Sequence, residues 1–473
     1  MKNILFILPD QMRADFVGCY GANFAKTPNL DKLAANGTRY TRCVSPSPLC
    51  VPARASLLTG ENALTNGVMD NGKWLRPDHE ACGLHSWPAI LSAQGYETVG
   101  IGKMHFYPWD ISEGFDKRII AEDKRHTALQ DDYALAMQAA GLKKYHGQEV
   151  AGYQETKGAI ECPLPDEFQV DNWVAQQACD YIKAHDGEKP FALMVGFGSP
   201  HCPYDPPKAD CDLFAEGEMP TARPTTPESE AFYQMMRASC LNDWCNIDYN
   251  GFTAAQKAII RTHYSGLIHR IDDCVGKLIA TLQEKGIDQD TTIIFSSDHG
   301  DFVGDYNMVG KHLFYEPAVR VPLIIQDSAL PSGCVYDETV CLTDIRATML
   351  HLAGITTTET DDSKVFSCYH STTNAPRYVF GATDVGTMVT NHEWKLCRYK
   401  NGQVHLFHIK DDPDEVNNLA DDMTYYPILK ELDKVLQEKV IGAANRANVD
   451  KNVDCGDPAF PKSNWTRPYP VAK

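Results

Sequence analysis

Strand-like and helix-like segments alternate through the first three quarters of this 473-residue chain, a pattern that restricts it to a mostly parallel sheet flanked by helices. Short apolar runs at Asn3 to Leu8, Thr98 to Gly102, Phe191 to Phe197, Thr291 to Ser297 and Leu323 to Gln326 read as strands. Helical segments are expected at Asn29 to Asn36, Ser86 to Gln94, Asp171 to His185, Ala254 to Lys285 and Leu342 to Ala353. Gly37 and Gly95 follow two of these, where the absence of a Cβ suits a helix stop.

After about residue 370 the texture changes. Tyr378 to Ala382, Gly386 to Thr390, Trp394 to Tyr399 and His405 to Ile409 read as strands of a smaller antiparallel sheet, followed by a polar helix from Pro427 to Val440. These readings divide the chain into a large α/β domain, 1–370, and a C-terminal α+β subdomain, 371–473. The segment from Cys202 to Pro227, rich in Pro, Asp and Glu, reads as a long irregular insertion.

The net charge of −19 argues against a nucleic-acid surface, so an anionic ligand has to be attracted locally, by clustered cations or a metal. The apolar run Ile4-Leu5-Phe6-Ile7-Leu8 is too short for a signal-peptide core, and no stretch has the length of a membrane span. The 16 cysteines are scattered singly from Cys19 to Cys455, as expected of reduced thiols in a cytoplasmic protein. Asn464-Trp465-Thr466 has the form of a glycosylation sequon but carries no weight without a secretory route.

Ligands of open α/β sheets bind beyond the carboxyl ends of the strands. Asp10-Gln11 follows the first strand, Lys103-Met104-His105 the second, Gly198-Ser199-Pro200-His201 the third and Asp298-His299-Gly300 the fourth. Asp10, Gln11, Asp298 and His299 offer three oxygens and a nitrogen, a set suited to calcium, magnesium or manganese. A separate stretch, Cys50-Val51-Pro52-Ala53-Arg54 continued by Leu57-Leu58-Thr59-Gly60, has Pro52 fit for the first turn of a helix and Gly60 fit for its end. Cys50 then sits at a helix N-terminus, which favours an anion; a reactive thiol of low pKa is the competing reading.

Taken together, the C-x-P-x-R helix, Gly95-Tyr96-Glu97-Thr98 through Gly102-Lys103-Met104-His105, Pro200-His201-Cys202-Pro203, Asp298-His299-Gly300 and Gly310-Lys311 resemble the type I sulfatases of the alkaline phosphatase superfamily. Arg320-Val321-Pro322-Leu323 and the stretch Leu406 to Glu415 are also similar to that family, so the resemblance covers nearly the whole chain in order. It implies an alkaline phosphatase-like fold, with 1–370 as the catalytic domain, and a sulfuric ester hydrolase whose Cys50 is converted to formylglycine by a maturation enzyme. The hydrate of that aldehyde would attack sulfur. The implied metal ligands are Asp10, Gln11, Asp298, His299 and residue 50, with Ca2+ the family's usual ion and Mn2+ or Mg2+ as alternatives. Arg54 would hold the diol and the ligands, while Lys103 and Lys311 would clamp the sulfate. His201, with Lys311, would protonate the leaving oxygen, and His105 would deprotonate the second hydroxyl to expel sulfate. Glu316 and Arg320 read as structural support.

Two positions depart from the common arylsulfatase pattern. Gln11 stands where many members have a second Asp, and His299 where they commonly have Asn. Gln11 with His299 is similar to phosphonate monoester hydrolases, and Asp298-His299 also resembles choline sulfatases and iduronate 2-sulfatases. The expected partner is a small-molecule sulfate ester, with sugar sulfates favoured by the polar segments around Asp110 to Gln169 and Cys202 to Pro227; no nucleic acid or membrane is expected, and an oligomer is left open. A phosphonate monoester or phosphodiester hydrolase is the nearer alternative reading, and a noncatalytic binding protein the remote one.

Overall fold

The computed structural model describes residues 1–242, 245–356, 359–370 and 377–446, so the sequon at Asn464 and the last cysteine, Cys455, lie outside the described residues. Strands β1 (Asn3–Asp10), β2 (Thr38–Val44), β3 (Glu97–Gly102), β4 (Lys117–Ile120), β5 (Phe191–Pro200), β6 (Thr291–Ser296), β7 (Arg320–Val321), β8 (Leu323–Gln326) and β9 (Cys334–Cys341) form one sheet. Its order is β4-β3-β5-β1-β6-β8-β2-β7, with β9 also paired to β2. From β4 to β6 every pairing is parallel. The carboxyl ends of β3, β5, β1 and β6 therefore lie side by side, with β1 between β5 and β6.

β1 shows why this sheet has two covered faces. Ile4, Phe6 and Leu8 enter one apolar layer, and Leu5 and Ile7 enter the other, as the period of two along a strand requires. Helices Val170–Ala184 and Ala254–Lys285 cover the Leu5 side. Helices Cys50–Thr59, Trp87–Ala93 and Asp344–Leu352 cover the Ile4 side. Among the described residues no helix is long and apolar enough to cross a membrane.

The expected strands and helices are present, several with shifted ends. β1 and β5 run on to Asp10 and Pro200 because these two residues pair across a register shift. β8 runs antiparallel to β6, since the intervening chain returns through loops and the short helix Glu316–Val319 rather than through a long crossover helix. β2, β4, β7 and β9 are not among the expected strands; β2 carries Arg39 and Arg42 and pairs β8 antiparallel and β9 parallel. Within the Cys202 to Pro227 stretch, helical turns occur only at Lys208–Cys211 and Glu216–Glu218, and Asp210 accepts a 2.7 Å bond from Arg270.

A second sheet follows, β10 (Val379–Thr383), β11 (Gly386–Thr390), β12 (Trp394–Tyr399) and β13 (Val404–His408), each antiparallel to the next. Val389, Leu396 and Leu406 pack under Leu432 and Leu436 of the helix Tyr426–Arg446. That helix continues past Val440 to Arg446, whose guanidinium reaches Glu61 and Asp362. The opposite face, through Met388, Cys397 and Phe407, packs on Phe302, Phe314 and Tyr315.

Beside this apolar seam lies a buried charged junction. Arg42 Nη2 bonds Glu316 Oε1 at 3.0 Å, Lys395 Nζ reaches Glu316 at 2.8 Å and Glu415 at 2.5 Å, and Glu415 accepts the Glu316 backbone N–H. Burial opposes the Glu316 charge, but Arg42 and Lys395 hold its carboxyl well below the usual range. Removing the shared cation strands a buried carboxylate. Lys395→Met should therefore cost about 3–5 kcal/mol in denaturant unfolding, whereas Lys434→Met on the exposed helix face should leave the midpoint unchanged; equal midpoints for the two variants would refute this role.

Candidate active site

Helix Cys50–Thr59 begins at Cys50 after an extended Leu49 and closes at Gly60, whose φ of 71° is left-handed. A Cβ at Gly60 would run into the Arg346 side chain, so glycine is required there for both reasons. All ten residues of the helix are buried, and its N-terminus places Cys50 against the ends of β1 and β6. Burial, joined by the nearby Asp10 charge, pushes the Cys50 thiol up to about 11. The competing reading of a low-pKa thiol at a helix end thus fails: the desolvation and carboxylate outweigh the helix dipole and the lysines.

Asp10, Cys50, Asp298 and His299 present ligand atoms all within 4.8 Å of one another, and all four residues are buried. His299 Nδ1 lies 2.9 Å from the Gly300 carbonyl, which can only accept, so Nδ1 carries the proton and Nε2 keeps its lone pair. That lone pair faces Cys50 Sγ at 3.3 Å. Burial brings His299 down to about 4, which keeps the ring neutral at physiological pH. Asp298 Oδ1 accepts the backbone N–H groups of Gln11 and His299, each at 2.9 Å, which fixes its orientation. Asp10 Oδ2 lies 2.5 Å from Lys103 Nζ, yet receives no properly directed hydrogen bond. Two oriented carboxylates and a neutral imidazole with an inward lone pair are a donor set that fits a divalent cation.

Gln11 turns the chain with a left-handed φ of 74°, unusual for a residue with a side chain. Its Oε1 accepts from Lys311 Nζ at 2.6 Å, and its Nε2 bonds Asp301, so the carboxamide is held from both ends. Arg54, one turn beyond Cys50, donates from Nε to Asp298 at 2.8 Å and from Nη1 to the Lys103 carbonyl at 2.8 Å. One side chain thus joins the helix to the ends of β6 and β3.

Lys103 leaves the end of β3 where Gly102 and Gly196 cross; a Cβ on either would overlap the opposing carbonyl. Its Nζ lies 3.0 Å from Asp123, and, against burial, Asp10 and Asp123 raise its proton affinity, so it stays charged. Lys311 Nζ is 2.8 Å from Cys50 Sγ. His105 has a left-handed φ of 60°, its backbone N–H bonded to Glu122, and a buried Nδ1 without a partner. Burial and then Lys103 hold His105 well below the usual histidine range. His201 Nδ1 donates to the Cys202 carbonyl at 2.7 Å, which leaves Nε2 facing Arg125 Nη2 at 3.5 Å. Burial and Lys311 keep this ring neutral as well.

A cavity of about 400 Å³ opens over Cys50, with Gln11, His105, His201 and Lys311 in its lining. Polar groups in the lining include His312 and Asp384, whose Nε2 and Oδ1 pair at 2.7 Å, and Asp70, Asn71 and Asn242. Asp384 comes from the β10–β11 turn, so the second sheet contributes to the wall.

The strand-end reading omits three supporting groups. Asp123, which holds Lys103, and Glu122, which holds the His105 backbone, follow β4, a four-residue edge strand too short to stand out. The usable signal is Glu122-Asp123 directly after Lys117-Arg118-Ile119-Ile120. Asp301, just past Gly300, accepts from Gln11 and Tyr204 and from the Val303 and Gly310 backbone.

Known proteins resemble this chain along most of its length. The family model described as Sulfatase matches residues 2–355, and one described as N-sulphoglucosamine sulphohydrolase, C-terminal, matches residues 304–441. An arylsulfatase of Clostridium perfringens is 28% identical over 479 residues, covering 93% of this chain and 94% of its own. The phosphonate monoester hydrolase of Agrobacterium radiobacter superposes with a TM-score of 0.80 at 20% identity, over 94% of this chain and 96% of that one. A protein solved with its substrate D-glucosamine-2-N,6-O-disulfate superposes with a TM-score of 0.70 at 20% identity, over 95% and 100% of the two chains. Because the Sulfatase model runs through β1, the Cys50 helix, the ends of β3, β5 and β6 and Lys311, well over half of the chain, this protein belongs to the sulfatase family.

Proposed function

We infer that this sulfatase-family chain hydrolyses the sulfate monoester of a sugar or another small polar alcohol, with residue 50, matured from cysteine to a formylglycine hydrate, as the nucleophile. The observation that carries the reading is the position of Cys50 Sγ, within 3.5 Å of Asp10 Oδ1, His299 Nε2 and Lys311 Nζ at once. The thiol sulfur marks where a hydrate oxygen would stand. A hydrate supplies two hydroxyls, one to attack sulfur and one whose deprotonation expels sulfate, which a plain serine or cysteine lacks.

Asp10, Asp298 and His299, with residue 50, are the proposed metal ligands, and Gln11 Oε1 joins them on exchanging Lys311. Ca2+ is the proposed ion, Mg2+ and Mn2+ the alternatives. When bound, the ion supplies Lewis-acid charge that polarises the ester and favours an ionised nucleophile. Arg54 holds Asp298 in place for that purpose. Lys103 and Lys311, pre-positioned by Asp123 and Gln11, balance the nonbridging sulfate oxygens. His105, neutral and with a free Nδ1, is the proposed base. His201 is neutral in the free site; an anionic ester placed beside it raises its proton affinity, and the proton then passes from Nε2 to the leaving oxygen.

The sugar reading is supported by the polar side chains Asp70, Asn71, Asn242 and Asp384 in the cavity lining and by the sulfated glucosamine carried by one structural relative. The division of the chain near residue 370 and a reducing, cytoplasmic setting belong to the same proposal, the first supported by Asp384 reaching the cavity from the second sheet. Gln11 and His299 favour a second reading, a phosphonate monoester or phosphodiester hydrolase with the same nucleophile. Comparing kcat/KM for a sulfate ester, a phosphodiester and a phosphonate ester at equal concentrations separates the two; a sulfate ester that ranks last sinks the first.

Mass spectrometry of the peptide holding residue 50 should find formylglycine in active protein. Cys50→Ser, left unmatured, should lose multiple turnover with its Tm unchanged; sustained turnover would overturn the mechanism. His201→Ala should lower kcat/KM by about 10²–10⁴ for an alkyl sulfate and far less for a nitrophenyl sulfate, whose leaving group needs no proton. His105→Ala should instead release one burst of alcohol and stall. Chelator-treated protein given a divalent ion at about 100 times its Kd should regain about 2.7 kcal/mol of stability, read as Tm; a Tm indifferent to every divalent ion would refute the metal site.

A further inference from the structure

Three more thiols line the wall of the catalytic cavity, Cys202, Cys240 and Cys245, and nothing in the hydrolytic scheme uses them. Cys202 follows His201 just past the end of β5, and Cys245 follows the helix Pro227–Cys240. Two features single out Cys245. Arg125 Nη1 donates to its sulfur at 3.5 Å, and Arg125 is itself fixed by Asp123 through Nε at 2.9 Å and Nη2 at 2.7 Å. Cys202 and Cys245 also line the same wall, where each acts on the other's proton affinity.

The two thiols are pushed in opposite directions. The neighbouring Cys202, together with the Arg125 charge, outweighs burial and brings Cys245 down to about 6, whereas Cys245 and burial push Cys202 well up. The guanidinium at 3.5 Å thus favours a thiolate at Cys245 rather than at Cys202. Cys50, by contrast, is pushed up to about 11, and burial raises Cys240 as well, so thiolate character in this wall concentrates on one sulfur.

We propose that Cys245 is a hydroperoxide-reactive thiolate and Cys202 its resolving thiol, so that a peroxide entering the catalytic cavity closes a Cys202–Cys245 disulfide in its wall. The Cys245 sulfur attacks one peroxide oxygen, the O–O bond breaks, and the departing oxygen takes a proton to leave as water or an alcohol. Cys245 is now a sulfenic acid. The Cys202 sulfur then attacks it as its proton passes to the departing hydroxyl; the S–O bond breaks, the S–S bond forms and water leaves. One peroxide is reduced by two thiols, and an external dithiol reverses the change by exchange.

The test is thiol mapping of the full chain by mass spectrometry, which needs no turnover, so its failure leaves the hydrolytic reading untouched. After hydrogen peroxide, the peptides holding Cys202 and Cys245 should be found joined, and dithiothreitol should part them. Cys202→Ser should stop at a Cys245 sulfenic acid that dimedone traps. Arg125→Gln should slow alkylation of Cys245 by iodoacetamide at neutral pH by about tenfold, the thiolate having lost its counter-charge. Two results would overturn the proposal: Cys202 and Cys245 staying unlinked while other cysteines oxidise, or Cys245 in the unsubstituted protein alkylating no faster than Cys82.

Discussion

The buried guanidinium of Arg54 is the tie on which the site depends. It is 1% exposed, and it bonds the Asp298 carboxylate after β6 and the Lys103 carbonyl after β3 while its own helix delivers residue 50. A buried cation without partners would be expelled or would unfold its surroundings, so these bonds specify one relative placement of helix and strand ends. That placement brings the Cys50 sulfur to His299 and Asp10. Lysine could not substitute for it, since a point charge on a flexible stem cannot hold two acceptors in a fixed plane.

Around that tie the charges are arranged against the chain's overall field. The protein carries −19, yet Lys311 and Arg125 line one cavity and Arg54 and Lys103 lie buried beside it against Asp10, each held by an acidic or amide partner: Gln11, Asp123, Asp298 and again Asp123. Binding an anion there requires little reorganisation, because the partners fix the cations before the ligand arrives. The same arrangement explains the neutral histidines. Burial and adjacent lysines oppose a second positive charge, which leaves His105 and His201 free to accept a proton when the charge in the site changes. Arg125 then has two neighbours of different kinds, the His201 ring and the Cys245 sulfur, which joins one end of the cavity lining to the other.

Much of this was legible in one dimension because the fold is built from elements with strong local periods. β1 alternates Ile4-Leu5-Phe6-Ile7-Leu8 between two cores, and the 32-residue helix Ala254–Lys285 matches its expected limits at both ends. The strand-end rule located Asp10, Lys103, His105, His201, Asp298 and His299, since a parallel sheet with β1 at its centre puts those ends on one edge. β2 was not legible because its alternation is carried by arginine stems and tyrosine. β4 and β7 are too short for any period, and with β4 went Glu122 and Asp123, the two acids that set Lys103 and the His105 backbone. The direction of β8 was invisible too, because an apolar tetrapeptide reads the same whichever way it pairs.

The sequence by itself determined the chemistry available: which strands end in which titratable groups, that Cys50 begins a helix, and that Arg54 follows it by one turn. Those facts depend on spacing along a single segment, which helix and strand geometry convert directly into direction. What only the tertiary structure decided is the state of each group. Burial pushes the Cys50 thiol up, His299 is the tautomer with Nε2 open, His201 is held neutral by burial and Lys311, and the Arg125 charge favours a thiolate at Cys245. The His299 tautomer is set by the carbonyl of the next residue, but the other states follow from desolvation and from distant partners, 40 to 261 residues away for Cys50. No local pattern encodes such distances, because proton affinity is set by the surroundings of an atom and not by its neighbours in sequence.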